Sequence, residues 1–520
     1  MAKKNLPLGA QDFKSFKEYD YIYVDKTEHI YRLATEGRYY FLSRPRRFGK
    51  SLLISTMKEL FQGNQKLFED LWIEDKWDWS KKHPVIHISF AKADYQGVGL
   101  EKAIDIELNK CAEIYGLELK NDSNKSRFEA LIVALNAKYQ KVVVLVDEYD
   151  KPIIDYLEED KLAKARENQE ILKAFYSVLK DSEQYLAFVF ITGVSKFSKV
   201  SIFSDLNHLT DLTMREDYAT ILGYTQEELE GNFKDYLAEA HTKFNITYEE
   251  LLSDMRLWYN GFSWDGKSKV YNPFGTLNFL ASKDFHNFWF ATGTPTFLAH
   301  LMKQQIKFDY ENIHTTTSRI DKYSLDNLDL VSLLFQTGYL TLKKRDFRTG
   351  DIVLDFPNRE IRESMYVFML DYLRQRHSEG SAQEIVRELS QAFHQNNLEQ
   401  IKALLEGLFG DLPSNLFETD DKRSERFYHS IIHLTFKFLG IYIDSEVRTA
   451  RGRADSVVQT ATHIYIFEFK HKESAEAAFQ QILDRDYLKK YIGSPKTIVG
   501  IGINFDKDRR EIDWVDKVLR

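Results

Sequence analysis

Hydrophobic positions change rhythm twice along the chain. Over the first 230 residues, short unbroken apolar runs alternate with stretches of helical periodicity. RYYFL at Arg38–Leu42 precedes an amphipathic run over Ser51–Gln62, and VIHISF follows at Val85–Phe90. Two further runs, Val142–Val146 and Leu186–Thr192, each come after helix-rich sequence. Apolar runs of strand length separated by helices are what repeated βαβ units in a parallel sheet produce, so this part reads as α/β.

From 231 to 415 the apolar spacing is mostly helical. It is broken by aromatic-rich turns, WYNGFSW at Trp258–Trp264 and YNPFGTLNFL at Tyr271–Leu280. Inside this stretch, LVSLLFQTGYLTLKKRD at Leu330–Asp346 and DIVLDFPN at Asp351–Asn358 outline a helix leading into a hairpin, as in a winged helix, which either binds DNA or only packs. The charged segment ETDDKRSE at Glu418–Glu425 marks a junction. Beyond it the expected order is helix, β-hairpin, strand, helix, strand, a second α/β pattern. The expected domains are therefore 1–230, a helical lid and winged-helix-like region at 231–415, and 416–520.

Composition agrees with several domains: 520 residues exceed what one core usually fills, and 43% hydrophobic with 29% charged residues is a folding composition. A lone cysteine, Cys111, excludes an intramolecular disulfide and a cysteine-based zinc site, and fits a reducing, cytoplasmic setting. The start MAKKNLPLGA has no apolar core behind its lysines, and no apolar run is long enough to span a bilayer, so no membrane role is expected. A net charge of −8 argues against a globally basic nucleic-acid coat. The last hundred residues hold about 18 Lys and Arg against about 15 Asp and Glu, which leaves room there for a nucleic-acid surface. His286, His300, His429 and His433 have no ligand spacing.

Candidate chemistry begins with RPRRFGKS at Arg44–Ser51, which lies between an expected strand and an amphipathic helix, the context a phosphate-binding loop needs. In such a loop the backbone N–H groups of Arg46–Leu52, with Phe48 and Gly49 among them, surround phosphates at a helix N-terminus. Lys50 reaches the β- and γ-phosphates of ATP and Ser51 ligates Mg²⁺. Arg44 stands where the generic pattern has glycine, at the expense of easy access to positive φ, whereas Arg46 and Arg47 add charge beside the anion. The run KVVVLVDEYDKP at Lys141–Pro152 is a buried strand ending in adjacent carboxylates. Asp147 is the expected metal partner and Glu148 the residue that orients or deprotonates water. The strand beginning at Leu186 ends in Thr192 and Ser195, short hydroxyls suited to sensing a γ-phosphate.

These phrases, with YVDKTEHI at Tyr23–Ile30, TGVSKFSKVSIFSDLNHLTDLT at Thr192–Thr213, VYNPFGTLNFL and FATGTPTFL at Phe290–Leu298, stand in the order of the bacterial AAA-ATPase-like P-loop proteins related to signal-transduction ATPases. The chain resembles that family over Leu6 to about His300. The resemblance implies an N-terminal parallel-sheet P-loop NTPase domain binding ATP, and makes the Arg44 form of the loop a family habit.

Near the C-terminus, RADSVVQTATHIYIFEFKHK at Arg453–Lys472 places Asp455 before a polar turn and then Glu468, Phe469 and Lys470 on an apolar strand. Period two sets Glu468 and Lys470 on one face with Phe469 toward the core. Two carboxylates and the Phe469 carbonyl form an oxygen set for Mg²⁺, with Lys470 beside it to orient water against a phosphodiester. This order resembles the PD-(D/E)XK nuclease superfamily in its AAA-ATPase-fused form over about Glu425–Val518, a restriction-endonuclease-like α/β domain, with RAD in place of Pro-Asp. The resemblance implies Glu425 as a further metal-approaching residue and Gln481 as the helix glutamine beside the site.

The expected function is an ATP-binding and hydrolysing switch protein that controls a Mg²⁺-dependent nuclease acting on nucleic acid, DNA being favoured. Defence or mobile-element biology suits this architecture, and a homo-oligomer is compatible with it. The alternative is an ATP-dependent signalling or scaffold protein whose C-terminal domain binds nucleic acid without cutting. A metabolic kinase is disfavoured, because no dedicated small-substrate domain is evident.

Overall fold

The computed structural model describes residues 3–120, 123–196, 202–203, 208–290, 310–321, 325, 328–373, 381–410, 431–447, 455–471, 473–484, 487–506 and 511–520. Two compact units emerge, Met1–Ile306 with Tyr310–Ile361, and Lys307–Asp309 with Arg362–Arg520. Among the described residues no helix is long and apolar enough to cross a membrane.

In the first unit, β1 (Tyr39–Ser43), β2 (Val85–Ser89), β3 (Val142–Asp147), β4 (Leu186–Gly193) and β5 (Thr210–Asp211) form a parallel sheet in the order β2-β3-β4-β1-β5. Every residue of β1 and β3 is buried, as continuous apolar runs covered on both faces require. On one face, Leu53, Ile54, Met57 and Leu60 of the helix Lys50–Phe61 pack with Leu42, Leu145 and Phe190. On the helices Asn124–Lys138 and Leu162–Asp181, Phe128 and Phe175 stack with centroids 4.5 Å apart. Because β4 is inserted between β1 and β3, with Ser43 in register with Gly193 and Val146 with Ile191, the carboxyl ends of three strands converge on one place.

The helices Gln226–Asn232, Lys234–Phe244, Tyr248–Tyr259 and Pro273–Ser282 follow, as the helical spacing predicts. Their starts are written in the sequence. Thr225 with Glu228 and Thr247 with Glu250 close capping boxes, and Asn272 caps a helix opened by Pro273. Leu229, Phe233, Leu251, Met255 and Phe279 form their core, joined by Ile22 and Val24 from the N-terminal segment.

The expected helix-and-hairpin is present as the helix Leu330–Thr337 and the antiparallel pair β7 (Thr341–Arg345) and β8 (Asp351–Asp355), with β6 (Ile313–Thr316) on the other side of β8. All eight residues of that helix are buried. It therefore packs and has no face left to read a DNA groove.

The second unit carries a sheet in the order β13-β12-β11-β10-β9, built from β9 (Asp444–Val447), β10 (Ser456–Gln459), β11 (His463–His471), β12 (Thr497–Asp506) and β13 (Glu511–Val518). Only β11 and β12 are parallel, and the helix Ala475–Asp484 makes the crossover between them, as a parallel pair requires. A helix over 431–439 precedes the sheet, in the expected order, and β13 adds one antiparallel strand to it.

Phe479 and Ile482 of the crossover helix pack on Val457, Ile464, Ile466 and Ile498. The approach is close enough to need glycine. A Cβ at Gly502 would collide with the backbone oxygen of Ala475 and lie 2.5 Å from the backbone nitrogen of Phe479, neither of which can turn aside. Gly502→Ala is expected to destabilise this unit by about 1–3 kcal/mol. Urea unfolding followed by circular dichroism would show it as an earlier transition, and an unchanged midpoint would contradict the close approach.

Candidate functional site

The turn Arg44–Gly49 joins β1 to the helix Lys50–Phe61, and its left-handed positions are Arg47 (φ +65°) and Gly49 (φ +93°), not Arg44. The residue in the generic glycine's place therefore needs no unusual backbone. Its side chain does something else. Fully buried, Arg44 donates through Nη1 to the carbonyls of Ser43 and Thr213 at 2.9 Å each and through Nη2 to that of Tyr218 at 3.2 Å. The guanidinium lies 4.0 Å from the centre of the Trp264 ring. Burial pushes its pKa down to about 9, against the pull of Asp211 and Asp265, which leaves it a cation at neutral pH.

Gly49 caps the helix whose first residue is Lys50, so the orphan N–H groups and positive dipole end of that helix face the turn. The buried Lys50 Nζ donates to the carbonyls of Arg44 and Pro45, both at 2.9 Å. Burial lowers its pKa, while Glu148, Asp147 and Asp150 act to raise it. Arg46 is half-buried and Arg47 exposed, whereas Phe48 is buried edge-on against Phe262 and Trp264, and Leu52 is half-buried.

At the end of β3, Asp147 is buried and both of its oxygens accept from hydroxyls. Ser51 Oγ donates to Oδ2 at 2.6 Å and Thr192 Oγ1 donates to Oδ1 at 2.8 Å. Ser51, Asp147 and Thr192, three residues singled out in the sequence, are thus in direct contact. This hydroxyl and carboxylate set is the hard-oxygen chemistry Mg²⁺ takes, usually with waters completing its shell. Glu148 beside it is half-buried and left-handed, φ +54°, a conformation costing on the order of 1–3 kcal/mol outside glycine and concentrated at functional sites.

Ser195 is placed differently: its Oγ and backbone N–H both donate to Asp150 Oδ2, at 2.9 and 2.7 Å. Asp150, which no spacing in the sequence singles out, is fully buried, also accepts from the Val194 N–H, and has its pKa raised by burial. Its signal was the third acid of DEYD, falling where the chain leaves the sheet.

In the second unit, the β10/β11 register pairs Ser456 with Phe467, and the Asp455 N–H donates to the Phe467 carbonyl at 3.2 Å. Continued by one residue, that register sets Asp455 opposite Glu468. Asp455 Oδ2 in turn accepts from the Phe469 N–H at 3.0 Å. Glu468 is buried, Phe469 is buried among Phe436, Phe467 and Phe505, and the partly buried Lys470 faces Glu473 at 3.6 Å. Opposed residues on neighbouring strands have Cβ atoms about 5 Å apart, and like charges so placed repel unless a cation lies between them. Together with backbone oxygen they fit Mg²⁺, which uses one or two carboxylates and keeps several waters. Gln481 is half-buried on the crossover helix. Glu425 lies outside the described residues.

Residues 7–203 match the family described as AAA-ATPase-like, a predicted AAA-ATPase. Residues 423–515 match the PD-(D/E)XK nuclease superfamily. The chain is similar to an Azotobacter chroococcum mcd 1 protein described as an uncharacterized protein in the vnfD 5′ region, at 36% identity over 528 residues and 98% of each chain. It is also similar to the Aeropyrum pernix ORC1 protein, in a structure in complex with DNA, at 12% identity over 66% of this chain and 90% of that one. The TM-score there is 0.25.

Arg44, in the place of the generic glycine, braces the turn through its side chain. Arg44→Gly, which restores the generic loop, is expected to lower the melting temperature by several degrees. It removes hydrogen bonds to a charged donor worth about 1.5–3 kcal/mol each and leaves a cavity beside Trp264. A melting temperature equal to that of the unaltered protein would remove Arg44 as a brace.

Proposed function

Because the chain belongs to the AAA-ATPase-like proteins that carry a C-terminal PD-(D/E)XK nuclease superfamily domain, we propose that it binds and hydrolyses ATP and that nucleotide state controls cleavage of nucleic acid. The observation that carries the first half is the Asp147 carboxylate held between the Ser51 and Thr192 hydroxyls, at the convergence of a phosphate-binding turn and an acidic strand end. In this reading Lys50 Nζ exchanges the carbonyls of Arg44 and Pro45 for phosphate oxygens, trading neutral acceptors for charged ones. Arg46 and Arg47 add positive charge at the mouth of the turn. Thr192, on the strand between β1 and β3, is within reach of both Asp147 and a γ-phosphate. Glu148 orients the attacking water.

At the C-terminal site, Asp455 and Glu468 would hold the metal ion, Lys470 would direct water to the phosphodiester, and Gln481 would stand beside them. At both sites, Mg²⁺ held by these oxygens supplies neutralisation of phosphate charge and, at the second, a more acidic water. The substrate class this reading favours is DNA, in defence or mobile-element biology, in the cytoplasm.

Lys50→Ala is expected to weaken ATP binding about 100-fold or more, since the ammonium is the loop's buried point charge. Glu148→Gln should keep nucleotide and lose turnover by roughly 100-fold or more, because the metal oxygens and the loop remain while the water-orienting carboxylate is gone. Calorimetry with ATP and a phosphate-release assay separate the two, and full hydrolysis by the Glu148 variant would remove that residue from its role.

Asp455→Ala and Lys470→Ala should each abolish cleavage of nucleic acid while ATP hydrolysis persists, since the two sites lie in separate compact units. Mg²⁺ or Mn²⁺ affinity of the C-terminal site should fall in the first variant and persist in the second. Variants that cut as well as the unaltered protein would remove Asp455 and Lys470 from these roles, and an unaltered protein that cuts nothing would transfer the reading to nucleic-acid binding without cleavage.

A further inference from the structure

Three consecutive carbonyls of the phosphate turn have donors, and the third comes from far along the chain. Lys50 Nζ serves Arg44 and Pro45, while the indole N–H of Trp289 donates to the carbonyl of Arg46 at 2.9 Å. Trp289 is itself anchored: its backbone N–H donates to Glu360 Oε1 at 2.5 Å, and the Phe290 N–H also serves that carboxyl. Glu360 is fully buried in the first turn of the helix Arg359–Leu373.

Room around this chain of contacts is closed off. A Cβ at Gly338 would meet the Pro45 ring at 2.6 Å and Trp289 at 3.6 Å, and a Cβ at Gly275 would lie 3.2 Å from Glu360 Oε2. The Trp289 ring meets Tyr339 edge-on, with centroids 5.3 Å apart. A tryptophan so wedged costs little further ordering to hold its N–H in place, whereas an exposed donor would have to be immobilised at each binding event.

Resting on the reading of this turn as an ATP site, we propose that Trp289 and Glu360 are positioning residues for nucleotide binding: Trp289 pins the Arg46 carbonyl, which turns the following peptide N–H toward the phosphates, and Glu360 pins Trp289. Lys50 releases its two carbonyls when phosphate arrives, and the Trp289 bond is the one that can persist through binding. The turn is then preorganised without the nucleotide. The pair also gives a physical role to Trp289, which lies against the turn and takes no part in the metal or water chemistry.

The test compares Trp289→Phe, Glu360→Ala and Glu360→Gln with the unaltered full-length chain. Trp289→Phe keeps an aromatic ring but loses the pyrrole half of the indole with its N–H, and burial pushes the Glu360 carboxyl up to about 8, so the neutral amide of Glu360→Gln stands in for the protonated acid at pH 7. Two readouts are taken: hydrogen exchange of the amides of residues 46–51 without nucleotide, and KM and kcat for ATP.

Trp289→Phe and Glu360→Ala should exchange faster in the turn and raise KM about five- to tenfold, the worth of one hydrogen bond, with kcat within about twofold. Glu360→Gln should restore both to the unaltered values. Unchanged exchange and unchanged KM in Trp289→Phe overturn the role of the pair. Faster exchange with a fall in kcat at constant KM overturns it as well, since that pattern belongs to the chemical step. A wild-type chain that binds no ATP overturns the reading of the site itself, and is seen before any variant is compared.

Discussion

The Asp147 carboxylate, shared between the hydroxyls of Ser51 and Thr192, ties together three pieces of chain that are distant in sequence. That sharing exists only because β4 lies between β1 and β3, so that the helix start, the acidic strand end and the central strand end arrive at one point. A carboxylate buried there without donors would cost several kcal/mol. Two hydroxyls meet that demand, and both are groups that can turn to a metal ion or a phosphate. The sheet order therefore decides the site before any ligand is present.

The turn itself is held by elements far outside it. Arg44 reaches back to the Thr213 and Tyr218 carbonyls and lies on Trp264, Phe48 packs on Phe262 and Trp264, and Pro45 lies against Gly338. The aromatic turn WYNGFSW and the helix-and-hairpin thus serve as the wall of the phosphate turn. This explains why the helix Leu330–Thr337 is buried throughout, in a position where a winged helix that reads DNA would keep one face open. In the second unit the same economy appears in Gly502, whose missing side chain lets the crossover helix lie against the sheet beside the strand of Glu468 and Lys470.

Much of this was legible locally. The strands at Tyr39, Val85, Val142 and Leu186 announced themselves as unbroken apolar runs, and the helix starts at Thr225, Thr247 and Asn272 as caps. Asp147, Ser51 and Thr192 could be named because each closes a strand or opens a helix. The two-residue β5 and the strand β6 carry too little periodic signal to be seen. The roles of Arg44, Asp150, Trp289 and Glu360 stayed hidden for another reason. Each acts through a partner that only the folded sheet brings near, so no spacing in the sequence records it. Asp455 and Glu468 lie between these cases: the hairpin predicts that they come together, while the register that pairs Ser456 with Phe467 beside them is a property of the paired strands.

Nucleotide occupancy in the first unit is proposed to govern nucleic-acid cleavage by the second. This control is tested most directly by incubating the purified full-length chain with single- and double-stranded DNA and RNA in Mg²⁺ or Mn²⁺, with ATP, with ADP and without nucleotide, and measuring the cleavage rate. Metal-dependent cleavage is expected, at rates that differ between the ATP, ADP and nucleotide-free conditions. Cleavage at one rate in all three would contradict control by nucleotide, and no cleavage under any combination would contradict the nuclease.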